Sequence, residues 1–278
     1  MSNEDKKVVV TRWWWVRHAP VRYDGGNIYG QTDIACDTSD RYVFEAVAKV
    51  LPRNAVWYAS NLKRTHQTAE AIWETGFPKP AAMPKIAAFA EQHLGRWQGM
   101  NRAEFVASRP AGSHWFADIS EPAPGGESFM DLYNRVSNAI AEITGREAGR
   151  DIIAVGHGGT IKAAVGLALG GLVEQGLGFD IDNCSVTRLD HFATPDRKVW
   201  RLPMVNQQPW IADAAAGAGD DDGFAFEAAH AYLPDVSIGA CRVAEFQTRF
   251  QTRMLLEAMH ALTYSLEQTL LKGASDVQ

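Results

Sequence analysis

The stretch that most constrains the fold runs from Val8 through Trp13-Trp14-Trp15-Val16 and stops at Arg17-His18. A β-branched and aromatic run of this length reads as a buried strand. Pro20 cannot continue a ladder hydrogen bond. The strand therefore ends by presenting a guanidinium and an imidazole. In open α/β sheets the carboxyl ends of the strands are where ligands bind. An Arg beside a His at such an edge suits an anion, because guanidinium is a rigid fork of donors.

Two further apolar runs end in the same way. Residues 55–59 lead into Ser60 and, one helical turn later, Arg64. Residues 151–156 lead into His157, with Gly158-Gly159 opening the next helix. Helical spacing follows each strand: 42–51, 62–75, a long stretch over 127–146, and an Ala- and Leu-rich stretch from 160 to about 170. Residues 85–90 read as another strand, and 185–191 with 199–202 as a hairpin. Strands alternating with helices predict a three-layer α/β/α sandwich with a largely parallel central sheet.

The expected organisation is a catalytic domain over 8–205, an acidic flexible linker over 212–240 and a C-terminal amphipathic helix over 241–272. Apolar residues in that last segment recur mostly every three or four positions, from Val243 to Leu270. Such a stripe packs on its own domain, on a second copy, or on a partner. The formal net charge of −6 falls in residues 213–278, which hold ten acidic and four basic residues. Neither part carries the positive excess that nucleic acid or an anionic membrane surface would select. No apolar run approaches the ~20 residues of a membrane span. The N-terminus is polar, and three widely spaced cysteines lack a metal-ligand pattern. These features place the chain in the cytoplasm.

Five blocks then fall in a recognisable order: Arg17-His18; Ser60-Asn61-Leu62-Lys63-Arg64; Glu91-Gln92-His93-Leu94-Gly95; Gly125-Gly126-Glu127-Ser128; and Val155-Gly156-His157-Gly158-Gly159. Over residues 8–205 the chain resembles the histidine phosphatase superfamily, the phosphoglycerate-mutase-like enzymes. The resemblance implies a nucleophilic His18 that forms a phosphohistidine. Arg17, Arg64 and His157 would hold the phosphate oxygens. Glu91 would be the acid that protonates the leaving group, with Glu104 and Glu127 as competitors for that role. Ser60 reads as a helix cap that is also a candidate substrate contact. The resemblance implies no metal and no cofactor.

Three positions depart from the pattern. Ala19-Pro20 replaces the Gly that usually follows the nucleophile, and Asp24 stands where Asn is common. A carboxylate at 24 repels phosphate unless it turns away or pairs with Arg22, which places it at the pocket mouth. Few bases lie between Gly99 and Pro124, where the mutases carry a long basic insertion. The resemblance is therefore to the compact phosphatase branch, which includes alpha-ribazole phosphatases and broad-specificity phosphatases. The expected activity is metal-independent phosphomonoester hydrolysis of a small phosphorylated metabolite, with alpha-ribazole phosphate as one candidate. The alternatives are a phosphoglycerate mutase-type phosphotransferase, and a scaffold protein with a vestigial phosphate pocket.

Overall fold

The structure, a computed structural model, describes residues 8–109 and 117–211. The linker and helix expected over 212–240 and 241–272 lie outside these residues.

Strand β1 (Val9–Arg17) is followed by α1 (Arg41–Val50), β2 (Val56–Ala59), α2 (Lys63–Glu74), the short α3 (Arg102–Ala107) and α4 (Phe129–Arg146). Then come β3 (Asp151–Gly156), α5 (Gly158–Ala168), α6 (Val173–Leu177) and the hairpin β4 (Val186–Ala193) and β5 (Lys198–Gln207). The sheet order is β2-β3-β1-β4-β5. β2, β3 and β1 are parallel, whereas β4 and β5 are antiparallel additions beside β1.

Helices cover both faces because β1 alternates large apolar side chains to both. Trp13 and Trp15 stack on one face, with ring centroids 5.4 Å apart. They join Phe89, Phe129, Leu132, Val136 and Ile161 beneath α4 and α5. Trp14 and Val16 face the other way, with Phe44, Val47, Trp57 and Ile72 of α1, β2 and α2. The period of two along a strand forces this division. Each indole of Trp13 and Trp14 finds a partner: Trp13 Nε1 donates to Thr144 and Trp14 Nε1 to Asp151.

Two expectations are corrected. Residues 85–90 form no strand in the sheet; Lys85 makes one isolated bridge to Ala59, and Ala87–Phe89 is a 3-10 turn. The carbonyls of Ile86 and Ala87 are taken by that turn, and those of Ala88, Phe89 and Ala90 go to side chains, as described below. Ser60 is not the cap of α2, whose first turn follows Leu62 with no side-chain cap. By contrast, Ser128 caps α4 through a reciprocal capping box with Asp131.

Candidate active site

Parallel register places three strand ends in a row. Arg17 pairs with Gly156 and Ala59 with Val155, so His18, Ser60 and His157 emerge side by side. His18 and His157 have ring centroids 5.1 Å apart.

Hydrogen bonds fix the protonation of both rings. His18 Nδ1 lies 2.7 Å from the carbonyl oxygen of Ala19, which only accepts, so Nδ1 carries the proton and Nε2 keeps its lone pair. Arg64 Nε donates to His157 Nδ1 at 3.2 Å, so the His157 proton sits on Nε2 and points to Ser60 Oγ, 2.7 Å away. Burial, followed by the charges of Arg64 and Arg17, holds His18 well below the ordinary imidazole range. His157 is held down by burial first, then by Arg64, His18 and Arg17. Both rings are therefore neutral bases at neutral pH.

Arg64 is fully buried, and its other donors hold the carbonyls of Gly30 and Thr32, each at 2.8 Å. Burial lowers its pKa, and Glu91 works against that shift. Arg17 donates through Nη1 to the carbonyl of Ile181, while its buried Nε–H has no partner among the described residues. An unpaired buried guanidinium donor is costly unless an anion meets it.

A cleft of about 350 Å³ opens beside this cluster, lined by Arg17, Tyr29, Glu91, Arg102, Gly158 and Lys162 among others. His18, Arg64 and His157 lie just behind its wall. Each adjoins a lining residue: Arg17, Gly30 through its carbonyl, and Gly158 respectively. The Glu91 carboxylate accepts from Gln92 N at 2.9 Å and from Gly159 N, at the α5 N-terminus, at 3.3 Å.

The expected site residues thus separate into three groups. Arg17, His18, Arg64, Glu91 and His157 are brought together. Ser60 is fully buried behind His157 as its hydrogen-bond acceptor and does not line the cleft. Asp24 pairs with Arg102 at 3.0 Å, not with Arg22, and its other oxygen accepts from Gly26 N. Of the two competing acids, Glu104 is exposed on α3 and Glu127 is bound to Arg135 at 2.6 Å. Ala19 creates no strain: it is buried against Thr68, and Cys184 and Asn206 are the non-glycine residues with positive φ among those described.

Sequence reasoning missed the loop before β4. Ile181 O holds Arg17, Asn183 Nδ2 donates to His18 O at 2.7 Å, and Cys184 N donates to Arg17 O at 2.9 Å. This segment carries no motif; its only local signals are Asp182 and Asn183 ahead of an alternating strand.

The description "Histidine phosphatase superfamily (branch 1)" matches residues 13–206. A metal-independent phosphoserine phosphatase of Arabidopsis thaliana is 33% identical over 172 residues, which is 58% of this chain and 71% of that protein. A glucosyl-3-phosphoglycerate phosphatase of Mycolicibacterium vanbaalenii is 31% identical over 172 residues, 58% of this chain and 75% of the relative. The solved structure of a mycobacterial glucosyl-3-phosphoglycerate phosphatase is 29% identical and superposes with a TM-score of 0.60, over 71% of this chain and 99% of that one. The chain belongs to branch 1 of the histidine phosphatase superfamily and is a phosphoric monoester hydrolase.

Proposed function

We propose that the enzyme hydrolyses a small phosphorylated metabolite through a phosphohistidine on His18, without a metal. The observation that carries this reading is the His18 Nδ1–H···O=C bond to Ala19, beside the unpaired Arg17 donor. It leaves Nε2 as the nitrogen with a free electron pair, next to a waiting anion ligand. In the first step Nε2 attacks phosphorus, the bond from phosphorus to the leaving oxygen breaks, and Glu91 gives that oxygen its proton. In the second step water attacks the phosphohistidine, Glu91 takes a proton from the water, and the P–N bond breaks to release phosphate. Arg17 and Arg64 act as fixed electrostatic partners for the phosphoryl oxygens, whereas His157, whose one proton goes to Ser60, orients Arg64 by accepting its Nε–H. For Arg64 and His157, hydrogen bonds already made within the protein keep them in place, so little reorganisation accompanies the reaction.

The cleft beyond the phosphate position mixes Arg102 and Lys162 with Asp180 and Asp182. Such a lining suits a leaving group bearing charges and hydroxyls better than an apolar ring. We therefore rank phosphorylated hydroxy acids and amino acids above alpha-ribazole phosphate. Phe129 belongs to the core and does not line the cleft. Cys36 and Cys184 are free and buried, which suits a reducing compartment, and we place the enzyme in the cytoplasm. No helix among the described residues is long and apolar enough to cross a membrane.

The test is His18→Ala assayed with p-nitrophenyl phosphate after exhaustive chelation. Wild type is expected to keep full activity and to trap an acid-labile phosphoenzyme; the variant is expected to lose both. Unchanged turnover in the variant overturns the reading. A screen that includes phosphoserine, phosphoglycerates, glucosyl-3-phosphoglycerate and alpha-ribazole phosphate then ranks the substrates.

A further inference from the structure

Residues 88–91 carry Glu91 to the cleft without a ladder on either side, and side chains from elsewhere hold every carbonyl of that segment. Thr160 Oγ1 lies 3.1 Å from the carbonyls of both Phe89 and Ala90. Gln31 Nε2 donates to Glu91 O at 2.8 Å. The remaining bonds come from one residue of α4. Arg135 donates through Nη1 to Ala88 O at 2.7 Å and to Ala90 O at 2.9 Å, and through Nη2 to Glu91 O at 3.0 Å. Its Nε and Nη2 bind the two oxygens of Glu127, at 3.0 and 2.6 Å. All five N–H groups of this guanidinium are thereby used. Glu127 Oε1 also accepts from His93 N at 2.8 Å, so the same carboxylate pins the segment on the far side of Glu91.

We propose that Arg135, oriented by Glu127, is a positioning residue for the general acid of this enzyme. It fixes the Glu91 backbone so that the carboxyl stays beside the leaving oxygen. The proposal rests on the reading of Glu91 as the acid. Neither residue touches substrate: Arg135 and Glu127 are absent from the cleft lining, and each is half-buried behind it. A lysine has three donors on a single nitrogen and cannot serve three carbonyls and a bidentate carboxylate together.

The readout is dependence on the leaving group. p-Nitrophenolate departs with little help from an acid, whereas an alkoxide needs its proton. Loss of a positioned acid therefore slows alkyl phosphates selectively, while general loosening of the fold slows both alike. For Arg135→Lys, kcat/KM on β-glycerophosphate is expected to fall by about tenfold or more, within the range a general acid contributes. kcat/KM on p-nitrophenyl phosphate is expected to fall less than about threefold, since that ester scarcely draws on the acid and kcat/KM leaves out the later hydrolysis of the phosphohistidine. Glu91→Gln should show the same selectivity, and the double variant should be no slower on the alkyl ester than Glu91→Gln alone. Glu127→Gln, which keeps shape and loses charge, serves as the second variant and follows the same pattern if Arg135→Lys does not fold. Equal loss on both esters, or an additive double variant, overturns the positioning role and leaves Glu91 as the acid. A Glu91→Gln variant without selectivity overturns both.

Discussion

Arg64 donates its Nε–H to Nδ1 of His157 across 3.2 Å, and in doing so decides which nitrogen of that imidazole bears the proton. A guanidinium cannot accept, so the ring must. The Nε2–H is then committed to Ser60 Oγ at 2.7 Å, in a fully buried pair. Ser60→Ala strands this donor away from water. A stability loss of about 1–3 kcal/mol is expected, as for other orphaned buried polar groups. Urea denaturation of wild type and variant measures it; a change below about 0.5 kcal/mol, the size typical of an incidental surface substitution, would show that the bond is dispensable.

The two histidines make stability depend on pH in a definite direction. Both are held well below their ordinary value of 6.5 in the folded protein. The unfolded chain accepts their protons near that value, whereas the native state accepts them only at much lower pH. Stability is thus complete above pH 6.5 and declines as the pH falls below it. Each histidine contributes a slope of up to about 1.4 kcal/mol per pH unit. Denaturation midpoints measured at pH 7.5, 6.0 and 5.0 should fall steadily. For the same reason the acid limb of kcat/KM should lie below the usual imidazole range. A flat stability profile across that interval contradicts the assignment of two neutral rings.

The loop that carries Glu91 crosses the Gly125-Gly126 turn with no room for a side chain. A Cβ on Gly126 would stand 2.1 Å from the carbonyl oxygen of His93, and one on Gly95 would stand 2.3 Å from that of Pro124. Both obstacles are backbone. Gly126→Ala is expected to cost about 1–3 kcal/mol, as overpacking does elsewhere. It should also slow alkyl phosphates more than p-nitrophenyl phosphate, because the displaced segment holds the acid. Thermal melting together with the two-substrate rate ratio checks both parts.

Asn183 donates to the carbonyl of His18 at 2.7 Å. Asn183→Asp keeps the shape and replaces a donor with a second acceptor facing that oxygen. A loss of about 1–3 kcal/mol of stability is expected. kcat should fall as well, because the peptide being displaced belongs to the nucleophile. Asn183→Ala, which removes the donor without adding repulsion, should be less damaging on both counts. An aspartate variant equal to wild type would show that this strap does not hold the ring.

Much of this site was legible because parallel strands announce their ends. The runs before Arg17-His18, Ser60 and His157 are apolar and abrupt, and the sheet brings those ends together for topological reasons alone. Less legible was what happens between elements. Residues 85–90 have the composition of a strand, yet the carbonyls of Ala88, Phe89 and Ala90 go to Arg135 and Thr160, and no local pattern foretells side chains arriving from so far along the chain. Ser60 has the residue type and place of a cap, but the neighbouring imidazole claims its hydroxyl. Asp24 reads as a threat to phosphate, and Arg102, distant in sequence, neutralises it. In each case a tertiary contact outweighs a local preference.

The strand order has a consequence for how the chain is made. β1 pairs with β3 and β4 and has no contact with β2 in the ladder, since β3 inserts between them. During synthesis from the N-terminus, the three tryptophans of β1 have no partner strand until residue 151 has emerged. Residues 18–150 must all leave the ribosome after β1 before any pair of strands in this sheet can form. Late, long-range pairing of this kind is slow and exposes sticky edges while it waits. Truncated products ending before β3 therefore carry an unprotected aromatic strand and are marked for aggregation or chaperone capture. The arrangement that gathers Arg17, His18 and His157 at one edge also leaves the nascent enzyme vulnerable from the end of β1 until β3 has been made.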